Sequence, residues 1–258
     1  MRLNRAEIFR MLSALLLVAV TLSNCNTNPS KSELPDNMYR LDGILVSDMN
    51  LYSCRAEIDF QRNDSGFANA LIGFGGESFS YVDDIYRLGS MPAIDFPTGV
   101  YDLEIEDPLG YTDSITTTVA DTFSIELTDL TDRLNPGGAL VPIIWTGSAD
   151  ADGYIITAVR RYMAYSGQGF SSWASKEARN GSIPPEAFRW TAGNNLDTGW
   201  YYVHVCAYTG KPDSVLSADL LPVPLPNQPE DNIQRETLNG RFGTVVVALR
   251  DSIYVATQ

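Results

Sequence analysis

Asp197-Thr198-Gly199-Trp200-Tyr201-Tyr202-Val203-His204-Val205-Cys206-Ala207 is the stretch that decides the fold. After the Asp-Thr-Gly turn, Tyr201, Val203, Val205 and Ala207 fall at every second position, the period of a strand with one face in a core. Tyr202, His204, Cys206 and Tyr208 share the opposite face. Upstream, Gly99-Val100-Tyr101-Asp102-Leu103-Glu104-Ile105 repeats the arrangement: a glycine, a spacer, a tyrosine, then apolar residues at every second place. The echo predicts two related modules in tandem.

The flanking sequence agrees. Tyr52, Cys54, Ala56, Ile58 and Phe60 alternate with Ser53, Arg55, Glu57 and Asp59, again a strand with one wet face. Turns at Asn63-Asp64-Ser65-Gly66 and Asp107-Pro108-Leu109-Gly110 separate short β-rich runs, and helix-length apolar periodicity is absent. Residues 38–130 therefore read as one β-sandwich. Pro136-Gly137-Gly138 marks a boundary, and residues 139–225 read as a second, with strands at Leu140–Trp145, Tyr154–Tyr162, Phe188–Thr191, Trp200–Tyr208 and Val215–Leu221. Pro222, Pro224, Pro226 and Pro229 predict a stiff, extended connector. In residues 227–258, Val245–Leu249 and Ile253–Val255 flank a turn at Arg250-Asp251-Ser252 and read as a β-hairpin, docked on a sheet edge or paired with another chain.

Asp197-Thr198-Gly199-Trp200-Tyr201 resembles the D-x-G-x-Y corner of immunoglobulin-like domains. The alternation from Tyr201 to Ala207 resembles the penultimate strand of fibronectin type III domains, and Trp145 and Tyr154 are placed like that family's core aromatics. The resemblance implies an all-β chain of two tandem immunoglobulin or fibronectin III-like sandwiches with a C-terminal β-hairpin. It implies nothing about activity.

The amino terminus reads as an address. Arg2, Arg5 and Arg10 against Glu7 precede the apolar run Met11–Leu22, the layout of an export signal. The run is shorter than the ~20 residues a spanning helix needs. Leu22-Ser23-Asn24-Cys25 resembles the lipobox of bacterial lipoproteins, which implies removal of residues 1–24 and fatty acylation of Cys25, with an ordinary signal peptide as the alternative. Residues 25–37, polar and holding Pro29 and Pro35, read as a flexible tether. The expected location is the cell envelope, lipid-anchored in the outer membrane or at the cell surface, facing periplasm or exterior. Loss of residues 1–24 takes three arginines and one glutamate and moves the net charge from −14 to −16. That charge repels nucleic acid and anionic headgroups, so the membrane contact is assigned to Cys25.

Little in the chain points to catalysis. His204 is the sole histidine, C-x-x-C pairs are absent, and neither a metal site nor a cofactor is expected. By alternation Cys54 points into the first core and Cys206 away from the second, so both are expected to be unpaired thiols. His204 is expected in surface or interface packing rather than as a base for Cys206. Asp150-Ala151-Asp152-Gly153 resembles the opening of a calcium loop, but Tyr154-Ile155-Ile156 supplies no further ligand, which leaves an acidic turn. The most unusual segment is Tyr162–Trp173, YMAYSGQGFSSW, a long Gly/Ser-rich connection. Its Tyr162, Tyr165, Phe170 and Trp173 are the candidate binding residues, as stacking faces for sugars or anchors for a protein partner. The function expected is a non-catalytic envelope binding or assembly module; the alternatives are carbohydrate binding through this loop and self-assembly through the C-terminal hairpin.

Overall fold

The computed structural model describes residues 38–126, 140–189, 197–228 and 230–256. The run Met11–Leu22 and Cys25 lie outside them, as does the 127–139 junction. The first half of the chain forms β1 (Tyr39–Asp48), β2 (Ser53–Arg62), β3 (Leu71–Phe74), β4 (Ser80–Val82), β5 (Ile85–Met91), β6 (Gly99–Glu106) and β7 (Thr112–Val119). The second forms β8 (Val141–Trp145), β9 (Gly153–Arg160), β10 (Phe170–Ser175), β11 (Asn180–Ile183), β12 (Gly199–Gly210), β13 (Leu238–Val247) and β14 (Asp251–Val255).

One eleven-stranded sheet runs in the order β10-β9-β12-β13-β1-β2-β5-β4, with β14 on β12 and two-residue strands on β13 and β2. A four-stranded sheet holds Glu77–Ser78, β3, β6 and β7, and a three-stranded sheet holds Ile125–Glu126, β8 and β11. Alternation decides the packing. Leu41, Ile58 and Phe60 of the main sheet meet Ile72, Phe74, Leu103 and Ile105 of the four-stranded sheet, while Tyr154, Val203 and Val205 meet Val141, Ile143 and Trp145 of the three-stranded one. The chain is thus an all-β pair of sandwiches sharing one large sheet and one continuous apolar core.

The C-terminal strands do not pair with each other as a hairpin. β13 runs parallel to β1 over the full ten-residue register, Tyr39 opposite Leu238 through Asp48 opposite Val247. Its other edge pairs antiparallel with Cys206–Gly210 of β12, and β14 takes the remaining half of the same strand, Gly199–Val203. The physical reason lies in Val245-Val246-Val247-Ala248, which is buried throughout. A run apolar on both faces belongs at the centre of a sheet, not at an edge with one wet face.

Three further expectations give way to one element. Ser217–Leu220 is a turn of α-helix (α1), where a strand over Val215–Leu221 was expected. Asp213 Oδ1 accepts the Val215 and Leu216 N–H groups, both at 2.9 Å, and this turn chemistry starts the helix. The prolines that follow do not extend away. Leu220, Leu221 and Leu225 lie on the outer face of the main sheet against Ile44, Val46, Ile155, Cys206, Val245 and Val247. Arg55 donates to Leu220 O at 3.0 Å, and Ser217 Oγ accepts the Leu225 N–H at 2.9 Å. Each buried leucine contributes roughly 1.5–3 kcal/mol. Cys206, expected to face away from any core, is therefore sealed inside a second one. Of the strand expected over Phe188–Thr191, Phe188 instead ends a 3₁₀ turn, Pro185–Phe188, opened by Pro184-Pro185, and residues 190 and 191 lie outside the described residues.

A half-buried ion network ties β1 to β13. Arg241 meets Asp231 at 2.8 Å and Asp42 at 3.5 Å, and Arg40 meets Asp42 at 2.6 Å and Asp231 at 3.1 Å. The arginines hold the Asp231 carboxyl below its usual range, against the opposing effect of burial.

Candidate arginine and aromatic cleft

The four aromatic residues nominated from sequence do not converge. Phe170 and Trp173 lie an odd number of positions apart on β10 and so face opposite sides: Phe170 packs on the inner core, and Trp173 on the outer one, edge to face with Tyr208 at 5.0 Å. Tyr165, at φ +64°, turns back into the protein. Its hydroxyl donates to Asp48 Oδ2 at 2.5 Å and its N–H to Pro222 O at 3.0 Å. Burial first, and the Asp48 carboxylate second, push the Tyr165 hydroxyl pKa far upward. Only Tyr162, 70% exposed on the 3₁₀ turn Arg161–Met163, faces outward.

Tyr162 meets a different set of partners. A cleft of about 380 Å³ is lined by Arg160, Arg161, Tyr162, Gly199, Trp200 and Tyr202. Register assembles its lining from two separate segments and sets β14 beside them. β12 pairs with β9 so that Tyr202 lies opposite Val159, and with β14 so that Trp200 lies opposite Tyr254. Trp200, 47% exposed, packs edge to face on Tyr254 at 5.3 Å. The Arg160 guanidinium lies over Tyr162 at 5.0 Å, and those of Arg161 and Arg250 lie over Tyr202 at 5.9 and 4.0 Å. Such stacking onto ring faces is attractive and holds the guanidinium planes in place. Gly199, at φ +141°, is required where the chain enters the cleft, a conformation costly for any residue with a Cβ.

The charge of the cleft is not spent internally. Ion pairs among the described residues engage Arg40, Arg87, Lys211, Arg235 and Arg241, none of which lines the cleft. Arg160 donates one bond, to Thr198 O at 2.8 Å. The guanidiniums of Arg161 and Arg250 meet no acceptor among the described residues, and each offers five N–H donors.

One rung inward from Tyr202, the sheet aligns Ser171, Thr157 and His204 across β10, β9 and β12. His204 was expected in surface or interface packing; it is 0% exposed. The β13–β14 turn crosses here, with Ala248 N–H bonded to Val205 O at 3.2 Å. Both imidazole nitrogens, Thr157 Oγ1 and Ser171 Oγ lack hydrogen-bond partners among the described residues. Burial, helped by the Arg250 charge, pushes the His204 pKa down to about 3, so the ring is neutral. Burial likewise drives the Cys206 thiol pKa up, and that of Cys54 to about 12. Both cysteines are free and buried. The Asp152 carboxylate accepts the Gly210 N–H at 2.8 Å and so closes a turn. No group of three metal-ligating side chains occurs among the described residues.

Trp200, Tyr202, Tyr254 and the three arginines escaped the sequence reading because only strand register brings them together. A partial signal existed in Arg160-Arg161-Tyr162, a basic and aromatic cluster at the end of a strand.

No protein-family model matches the chain, and neither does any curated protein. Among solved structures, it is similar to the chicken CNTN1 FN1–FN3 domains, with 11% identity over 83% of this chain and 63% of that one and a TM-score of 0.26. A calcium-stabilised, ice-binding adhesin of an Antarctic bacterium aligns over 88% of this chain and 50% of its own, with 13% identity and a TM-score of 0.24. A tetra-tandem repeat from the extending region of a large adhesion protein aligns over 84% and 49%, with 9% identity and a TM-score of 0.22. Likenesses of this size carry nothing about function.

Proposed function

We propose that the chain is an exported, lipid-anchored, non-catalytic envelope protein whose sandwiches present the Arg160–Tyr202 cleft to a ligand. The observation that carries this reading is the cleft itself: exposed rings interleaved with arginines that pair with no carboxylate among the described residues, on a chain of net charge −14. Strand β12 supplies Trp200 and Tyr202, and the 3₁₀ turn after β9 supplies Tyr162. The non-catalytic part rests on His204 and Cys206, which burial holds neutral and away from any substrate. No helix of the described residues is long and apolar enough to cross a membrane; attachment is assigned to Cys25. Self-assembly through β13 would require drawing it out from between β1 and β12.

Intact mass and membrane fractionation of the full chain beside Cys25→Ser test the anchor. The wild type should carry a diacyl or triacyl mass and sediment with membranes, and the variant should be released. A wild-type chain recovered soluble with an unmodified terminus overturns lipid attachment and leaves the cleft reading standing.

A further inference from the structure

We infer that the cleft binds a terminal, carboxylate-bearing sugar ring of a glycan; this rests on reading the cleft as the ligand contact. Four observations lead there. At about 380 Å³ the space lies at the small end of ligand pockets, the scale of one or two rings rather than a helix or a protein surface. Its walls carry the rings of Tyr162, Trp200 and Tyr202; guanidiniums lie over the two tyrosines, and Trp200, 47% exposed, is the ring on which the apolar C–H face of a pyranose stacks. Its charged groups are all guanidiniums: Arg160 and Arg161 in the lining and Arg250 stacked on Tyr202 beside it, with planar forks that match a carboxylate. The main chain around it is already committed, since β12 is paired on one side by β9 and on the other by β14.

That last point separates a sugar from an acidic peptide. A peptide adds to a sheet through an open edge, and β12, which floors this cleft, offers none, so recognition along it falls to rings and guanidiniums. The charge of the whole molecule adds a further restriction. A long polyanion lying across a surface of net charge −14 is repelled along most of its length, whereas a chain end entering the cleft meets only the local arginines. The favoured occupant is therefore a terminal uronate or another acidic ring, not an internal polymer segment.

The test is titration of the full, detergent-solubilised chain with trigalacturonate and 3′-sialyllactose, beside lactose and maltotriose as neutral sugars and triglutamate as the acidic peptide. The acidic sugars should bind, more weakly as salt rises. Affinity should fall about tenfold or more in Trp200→Ala and in the Arg161→Gln/Arg250→Gln double variant, the size expected for one lost stacking or charged contact. Neutral sugars binding equally well, with loss in Trp200→Ala, would overturn the acidic specificity while keeping the cleft as a glycan site. Triglutamate binding more tightly than either acidic sugar would make it a peptide site. Binding untouched by Trp200→Ala, or none by any probe, would overturn both the sugar and the cleft.

Discussion

β6 and the first half of β12 are the same strand written twice, and they differ on one face only. Inward, Tyr101, Leu103 and Ile105 correspond to Tyr201, Val203 and Val205, and all pack on the common core. Even the corner repeats: Tyr101 donates its hydroxyl to Pro97 O at 2.9 Å and Tyr201 to Asp197 O at 3.3 Å, each four residues back. Outward, Asp102, Glu104 and Glu106 stand in solvent, whereas His204 and Cys206 are buried and Tyr202 floors the cleft. At the spacer, Val100 is 68% exposed opposite Thr118, and Trp200 is 47% exposed beside Tyr254 and the arginines. Two-residue periodicity states which side chains travel together. Whether their second face is wet depends on other segments, here the leucines of residues 211–226 over Cys206 and the β13–β14 turn beside His204, laid over one strand and not the other.

Removing the grip of residues 211–226 should break the comparison most. Leu221→Ala leaves a void against Val245 and Ile155 and should cost about 2–5 kcal/mol in urea unfolding. Glu104→Ala on the uncovered twin should stay within about 0.5 kcal/mol. A loss in Leu221→Ala as small as that in Glu104→Ala, within about 0.5 kcal/mol, would show that residues 211–226 contribute no packing.

Acid separates the two faces next. The folded state keeps His204 neutral down to about pH 3, while the unfolded chain takes up a proton near its ordinary value of 6.5. Stability should therefore fall as pH drops below about 6.5, by a few kcal/mol if followed towards pH 3. Between pH 6.5 and 5 that slope should vanish in His204→Phe. Below that, Asp231 and Asp107, whose pKa values are lowered, lose their contribution as pH falls through the folded values, and Asp42 and Glu57, raised by burial, act in the opposite sense. An unchanged slope in the variant would place the acid sensitivity in those carboxylates.

The smallest expected difference lies in the corners. Tyr201→Phe should cost about 1 kcal/mol, because its buried hydroxyl serves both Asp197 O and Phe188 O. Tyr101→Phe, at the half-buried corner, should cost a few tenths. A reversed order in thermal or urea midpoints would mean that burial does not set the strength of this contact.

The inner architecture was legible because it depends on local order: alternation, the Asp-Thr-Gly-Trp-Tyr corner and its echo at Gly99. The outer architecture was not. Nothing near Cys206 announces that Leu220 and Leu225 will cover it, and a proline-rich stretch reads as an extended connector whether or not a sheet lies beneath. The valine run at 245–247 did hold its answer, since three successive buried residues need two covered faces, but a hairpin reading asks for one. The aromatic segment misled for a different reason. Ring count in a Gly/Ser-rich connection suggested exposure, while the conversion of Phe170–Ser175 into a strand sent two of the rings to opposite sides.

The parallel pairing of β1 with β13 also sets an order of events. Tyr39 must find Leu238, so β1 cannot complete its neighbourhood until nearly the last strand of the described chain has been made. Contacts so distant along the chain close slowly, because the entropy of the intervening loop is lost before they form. Until then the edges of β1 and β12 that will hold β13 stand open, and the protein is at its most vulnerable to wrong pairing during this interval.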